Sequence, residues 1–391
     1  MNPLKHGILN TLIGLFLMMG LFILPIFCTH TVTSSAETLH SNRALNTDEL
    51  AKIIYHDKIE RIDSFLNQHK NRTNFQGNIF IAYKGHLIYD KSFGYSNPLA
   101  KKPLSQTGVF QLASVTKQFT ATGILMLKEK GLLKLSDTVN QYLDPFPYKG
   151  ITIRMLLNHT SGLPNYMWLL EHHWDKDHIP YNDDVMRLLN KYRLNLYFTP
   201  GTRFAYSNTG YVVLASIIEN ITGQRYDTFM EENIFHPLGM EHSYVYSTTY
   251  GKNNQQYVKG YRQWGRHFRY IPYTINDGSV GDKGIYSNGP DLIKWDKALY
   301  ENKLISEQTK MEAFDSLTLK NGNQYPYGFG FRIKESGGKK RVYHYGKWNG
   351  YRTGIIRFIE DTSTLIILNH TDRSYNGQIT KNIDSILNHI H

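Results

Sequence analysis

The chain has 391 residues, is 41% hydrophobic and 20% charged, and carries a formal net charge of +11. These proportions exclude a disordered or fibrous chain and suit a globular one long enough to bury a sizeable core. The positive charge favours polyanions, but no Lys/Arg block of five or more and no nucleic-acid-binding motif accompanies it, which argues against nucleic acid.

Lys5 precedes an uncharged run from Gly7 to Cys28 rich in Leu, Ile, Phe and Met. Such a run reads either as the core of a signal peptide or as a membrane anchor of about 20 residues. Both export the remainder. Ser34-Ser35-Ala36 supplies small residues for cleavage after Ala36, so residues 1–36 are assigned to a signal peptide or membrane anchor and 37–46 to a polar linker. The protein is therefore expected outside the cytoplasm, held at the membrane or released as a secreted or periplasmic form. Cys28 is the only cysteine, so the exported part has neither a disulfide framework nor a thiol nucleophile.

The folded domain is expected over 47–391. Thr47-Asp48-Glu49, capped by Asn46 or Thr47, opens a helical pattern whose apolar positions recur to Phe65. Gly77–Tyr83 and Leu87–Asp90, joined at Lys84-Gly85-His86, read as a β-hairpin. From about 118 to 300 the pattern predicts a largely helical insertion, punctuated by turn clusters such as Thr199-Pro200-Gly201. Strands return at 329–333, 341–345, 351–358 and 364–369, before a terminal helix over 378–390. Strands at both ends imply one sheet closed by the two termini.

The stretch from Phe110 to Phe119 carries the first chemical signal. Ser114 and Lys117 stand three residues apart at the start of an expected buried helix, which puts both side chains on one face. The positive end of the helix favours a developing alkoxide and disfavours a protonated amine beside it. The pair reads as a nucleophile beside its base, although Ser-x-x-Lys is a short motif that an ordinary helix start can also contain. Two more motifs follow in order. Tyr206-Ser207-Asn208 comes after Pro200-Gly201, and His344-Tyr345-Gly346 closes a predicted strand ahead of Lys347-Trp348-Asn349-Gly350.

With these motifs in this order, the chain from about residue 50 onward resembles the serine β-lactamase and penicillin-binding-protein superfamily. It is most similar to the branch of class C β-lactamases, D-alanyl-D-alanine carboxypeptidases and related esterases. Leu156–Pro164, Gly281–Ser287 and Asp291–Trp295 fit the same branch. The resemblance implies an α/β (α+β) fold: an antiparallel sheet flanked by helices, with an inserted all-α subdomain and the site at their junction. Ser114 would attack an acyl carbon while Lys117 and Tyr206 share the proton, the choice of base between them being open. Asn208 would orient Lys117 and the substrate amide. His344 and Gly346 would line the site along a strand edge, and the backbone N–H of Lys347 would pair with that of Ser114 as an oxyanion hole. No cofactor or metal is implied, and His172-His173-Trp174-Asp175-Lys176-Asp177-His178 places its ligand types too close in sequence to converge on an ion.

The function so implied is an exported serine hydrolase that forms an acyl-enzyme on Ser114 and acts on D-alanyl amide or ester bonds of the bacterial cell envelope. Its partner would be a cell-wall peptide, an acylated wall polymer, or a small ester or β-lactam. The alternatives are a general esterase or weak β-lactamase, and a non-hydrolytic penicillin-binding envelope receptor. Two departures from the pattern bear on this. His344 stands where true β-lactamases carry Lys, which removes a fixed cation and leaves Lys347 or Arg352 as candidate replacements. Lys283 puts a bulky cation into the Gly281–Gly284 loop, where it is expected to narrow or charge the cleft. His159 reads as a structural residue beside the Ser161-Gly162 turn.

Overall fold

The computed structural model describes residues 45–246, 257–336 and 338–388. The apolar run over 7–28 and the cleavage site after Ala36 lie outside them. Among the described residues no helix is long and apolar enough to cross a membrane.

Asn46 caps the first helix, α1 (Thr47–Ile54), through a capping box with Glu49, and Tyr55 separates it from α2 (His56–Thr73). Next comes the hairpin of β1 (Gly77–Tyr83) and β2 (His86–Phe93). The C-terminal third supplies β3 (Arg332–Ser336), β4 (Lys339–Trp348), β5 (Tyr351–Phe358) and β6 (Ser363–Asn369). These six form one antiparallel sheet in the order β3-β4-β5-β6-β1-β2, so the N-terminal strand β1 and the C-terminal strand β6 pair in its interior, Phe80 opposite Ile366. The expected fold class and the closure of the sheet by the two termini are both borne out.

Both faces of this sheet are covered, which is why β1 and β6 read as nearly unbroken apolar runs rather than alternating ones. Side chains alternate across the sheet. Ile79, Ile81, Ile356, Leu365 and Ile367 enter a core shared with α2 and the terminal helix Asn376–Asn388. Phe80, Ile355, Ile366 and Leu368 enter the larger core on the other face. At the centre of that core lies α3 (Thr116–Glu129), enclosed almost all round, with Phe119 stacked on Trp295 at 4.0 Å between ring centroids.

The middle of the chain is rich in helices, notably α4 (Asn208–Thr222) and α5 (Gly289–Tyr300), but strands also interrupt it. Tyr261–Trp264 and His267–Tyr270 form a hairpin. Ile285–Ser287 pairs with Phe110–Gln111 on one side and Tyr244–Val245 on the other. This small sheet ties the segment leading into Ser114 directly to the Gly281–Gly284 loop.

Candidate active site

Ser114 sits in a single 3-10 turn, Ala113–Val115, immediately ahead of α3 rather than within its first turn. Ala113 is held at φ +50, a left-handed conformation that costs a non-glycine residue energy and persists only where its surroundings impose it. Those surroundings are specific. The Leu112 N–H donates to the Ile285 carbonyl, and the Leu112 carbonyl accepts from Thr353 Oγ1 on β5. Gly346 on β4 packs so closely here that a Cβ would collide with the Leu112 carbonyl and Thr353 Oγ1. The serine turn is thus wedged between the small sheet and the β4-β5 ladder.

Lys117 is fully buried on the first turn of α3. Its Nζ lies 3.3 Å from Ser114 Oγ, donates to Asn208 Oδ1 at 2.9 Å and donates to the Asp282 carbonyl at 2.7 Å. Burial, opposed by Asp282 and aided by the nearby Arg332 guanidinium, lowers the amine to about 7. An amine in this position can shed its proton near neutral pH.

Tyr206 and Asn208 reach the site through the start of α4. Ser207 caps that helix by accepting from the Gly210 N–H, which leaves Asn208 as its first residue and Tyr206 just outside it. His159 holds this segment from below, its Nδ1 accepting from the Ser207 N–H at 3.1 Å and its carbonyl accepting from the Ala205 N–H at 2.9 Å. The His159 ring is buried against Tyr206, with centroids 4.3 Å apart, and burial among cationic neighbours keeps it neutral. Its role is to position Tyr206. The Tyr206 hydroxyl lies near enough to the Ser114 side chain for the two to influence each other. Although the residue is 36% exposed, desolvation at the hydroxyl end holds the phenol above its ordinary range, with Ser114 and Arg332 pulling the other way.

His344 lies opposite Ile355 on the face of the sheet that looks toward α3. It is buried, with Nδ1 2.9 Å from the Tyr345 carbonyl and Nε2 3.0 Å from the Tyr327 hydroxyl. A carbonyl only accepts, so Nδ1 carries the proton. Burial, Lys117 and Arg332 all push His344 well below its usual value, so the ring is neutral and Nε2 accepts from Tyr327. It offers no cation to the cleft. The side chains of Lys347 and its cross-strand partner Arg352 do not replace it, because the alternation of the sheet turns both to the face away from His344 and Gly346. The strand edge itself is open where the site needs it: β3 pairs with β4 only over 339–343, leaving 344–348 without a ladder partner on that side.

Lys283 does not charge the cleft as expected. It is buried, with Nζ 2.5 Å from the Tyr166 hydroxyl, 3.4 Å from Asp282 Oδ1 and 4.8 Å from the centre of the Trp348 ring. The cation that sequence reasoning missed is Arg332, at the start of β3. Its guanidinium lies 5.4 Å from the centre of the Tyr206 ring and 5.7 Å from that of Tyr327. The Asp282 carbonyl was also missed, since a backbone acceptor has no signature in residue type.

The arrangement brings Ser114, Lys117, Tyr206 and Asn208 together, with His344 and Gly346 on the adjoining strand. A hydroxyl touching both an amine near its neutral point and a phenol, beside an open strand edge, can perform acyl transfer. The beta-lactamase family model matches residues 66–386. Penicillin-binding protein 4* of Bacillus subtilis (strain 168) is 39% identical over 330 residues, covering 80% of this chain and 72% of its own length. The D-aminopeptidase of Brucella anthropi is 27% identical over 278 residues, covering 71% of this chain and 52% of its own. Among solved structures, the octameric penicillin-binding protein homologue from Pyrococcus abyssi aligns with a TM-score of 0.70 at 27% identity, over 80% of this chain and 73% of that one.

Proposed function

The chain belongs to the beta-lactamase family and is a serine hydrolase, and on that premise we propose that it works outside the cytoplasm on D-alanyl amide or ester bonds of the bacterial cell envelope. The observation that carries the reading is Lys117, buried, near its neutral point and 3.3 Å from Ser114 Oγ. Neutral Lys117 takes the Ser114 proton as Oγ bonds to the substrate carbonyl carbon. Tyr206, which keeps its proton at neutral pH, gives it to the departing amine or alcohol and is refilled from the Lys117 ammonium. The acyl-Ser114 ester is then cleaved by water along the same proton path. Backbone N–H groups of Ser114 and Lys347 hold the oxyanion, a contribution worth about 10²–10³ in rate per donor in other enzymes.

The envelope assignment draws on the names of the relatives, a penicillin-binding protein and a D-aminopeptidase, and on the apolar run over 7–28. Within it, Arg332 supplies the positive charge that would meet a substrate carboxylate, in place of the cation His344 lacks. The neutral His344 also supports the second reading, a general esterase or weak β-lactamase. Purified protein is incubated with isolated peptidoglycan and, separately, with D-alanylated wall polymer, and released D-alanine is measured beside hydrolysis of a p-nitrophenyl ester and a chromogenic cephalosporin. Release of D-alanine that Ser114→Ala abolishes is expected. Ester turnover with no D-alanine from either source leaves the esterase reading, and a stable penicillin adduct with no turnover of any substrate leaves the receptor reading.

A further inference from the structure

The hairpin Tyr261–Trp264/His267–Tyr270 stands apart from the catalytic machinery and has an unfavourable surface. Arg262 lies directly opposite Arg269, and Trp264 opposite His267, all four on the exposed side, while Tyr261 and Gln263 are buried beneath. Like charges placed directly across a ladder destabilise it, and a large exposed aromatic adds a desolvation liability. From Tyr257 to Asn276 the sequence contains no Asp or Glu.

A second like-charge pair adjoins the first. Lys347 faces Arg352 across β4 and β5, on the side away from the serine. The two pairs meet at Asp372, whose carboxylate is 3.8 Å from Arg262 and whose field reaches Arg352. Exposed Arg373 joins them by donating from Nε to the Gln263 carbonyl. Asp372 also accepts from the Gln263 N–H, so part of its capacity is spent on the backbone. Among the described residues, Arg269 has no carboxylate within ion-pair range and Arg262 has only this long one.

We propose that this face, Arg262 and Arg269 with Lys347, Arg352 and Arg373 around the single carboxylate of Asp372, is a docking surface for a linear phosphodiester polymer. Four of the five cations are arginines, whose planar fork matches phosphate oxygens bidentately, and Trp264 gives a flat surface for the polymer's organic units. One exposed aromatic is little apolar surface for insertion into a bilayer. Lys347 follows Gly346, whose backbone packs on the serine turn, so this surface lies on the other face of the strand that lines the cleft. The inference concerns binding and holds whichever acyl donor Ser114 cleaves.

The test is binding of fluorescein-labelled poly(glycerol phosphate) to the full-length Ser114→Ala chain, read by anisotropy at two salt concentrations. Arg262→Glu with Arg269→Glu is expected to weaken binding at least tenfold and to flatten the salt dependence, whereas Lys130→Glu with Lys134→Glu, the same charge change on a remote exposed stretch, leaves it within twofold. In the Ser114 background the hairpin variant should hydrolyse a small ester at the normal rate. If it does not, Arg262→Gln with Arg269→Gln replaces it, with a loss of at least threefold expected. Unchanged polymer binding, equal losses from both charge reversals, or binding to phosphatidylglycerol vesicles without binding to the polymer overturns the proposal.

Discussion

Lys117 Nζ, 3.3 Å from Ser114 Oγ, makes its two shorter hydrogen bonds to Asn208 Oδ1 and the Asp282 carbonyl, both of which only accept. A neutral amine still satisfies both with its two N–H groups, and its lone pair is then left to face the serine. The neutral form therefore fits its surroundings without rearrangement.

The first prediction is the pH profile of acylation. With Lys117 lowered to about 7, the single-turnover rate with an activated ester should rise about tenfold per unit below that point and level off above it. Tyr206, held above the ordinary phenol range, should add no descending limb up to pH 9. Lys117→Ala should lower the plateau by about 10²–10⁴ and abolish the slope. A flat profile from pH 5 to 9 in the unmodified protein would falsify a basic role for Lys117.

The same lysine should depress stability in a pH-dependent way. Between about 7 and the ordinary lysine value of 10.5 the unfolded chain binds a proton that the folded one does not, so stability rises with pH across that window. Below it the cost of the buried ammonium is complete, on the order of 5 kcal/mol. Urea unfolding of Lys117→Met and the parent should therefore diverge in favour of the variant as pH falls from 10 to 6. The lost hydrogen bonds lower the variant's stability equally at every pH and do not affect this trend. A difference that stays constant over the range contradicts the burial cost.

Much of this was legible in the sequence. The spacing of Ser114 and Lys117, the Tyr206-Ser207-Asn208 motif and the strand carrying His344 and Gly346 are local features, and local features fix local geometry. The hairpin of β1 and β2 was legible because its turn is short and its strands are apolar. What was not legible depends on contacts made across the fold. Arg332 carries no motif and matters only because β3 ends against Tyr206 and Tyr327. Lys283 looked like a cleft cation until Asp282 and Tyr166 were seen to enclose it. That His344 removes a fixed cation was legible, but the pairing of its two nitrogens with Tyr345 and Tyr327, which keeps the ring neutral, was not.

Arg332→Gln tests the missed cation. Removing a charge that lowers Lys117 should move the rising limb of the acylation profile to higher pH. It should also reduce kcat/KM for a peptide with a free C-terminal carboxylate by about tenfold or more while changing that for an uncharged ester severalfold at most. Equal losses on the two substrates, measured at the pH of each plateau, would show that Arg332 acts on the site and not on the carboxylate.

Gly346→Ala probes the oxyanion position. The added methyl collides with the Leu112 carbonyl and Thr353 Oγ1, neither of which is free to move, since the two are bonded to each other at 2.6 Å. Strand β4 must then retreat from the serine turn. The expected result is a drop in kcat of about 10²-fold with little change in KM, together with a stability loss of about 1–3 kcal/mol. Full activity in this variant would separate the oxyanion site from the Gly346-Lys347 backbone.

Arg357 and Asp296 form an ion pair at 2.6 Å between β5 and α5, buried at 1% and 6% side-chain exposure and remote from the catalytic hydroxyl. Desolvation raises the Asp296 carboxyl although Arg357 opposes it, so burial costs the acid more than its pairing returns. Asp296→Asn leaves the guanidinium buried without a counter-charge, and a loss of about 3–5 kcal/mol is expected in urea unfolding. Replacing both partners with apolar side chains, Arg357→Met with Asp296→Leu, should recover most of that loss, because the desolvation cost of both charges disappears with them. Since the pair belongs to the scaffold, both variants should keep the acylation rate constant of the parent at temperatures where they are folded. If the double variant is less stable than Asp296→Asn, the pair contributes more through its attraction than burial removes.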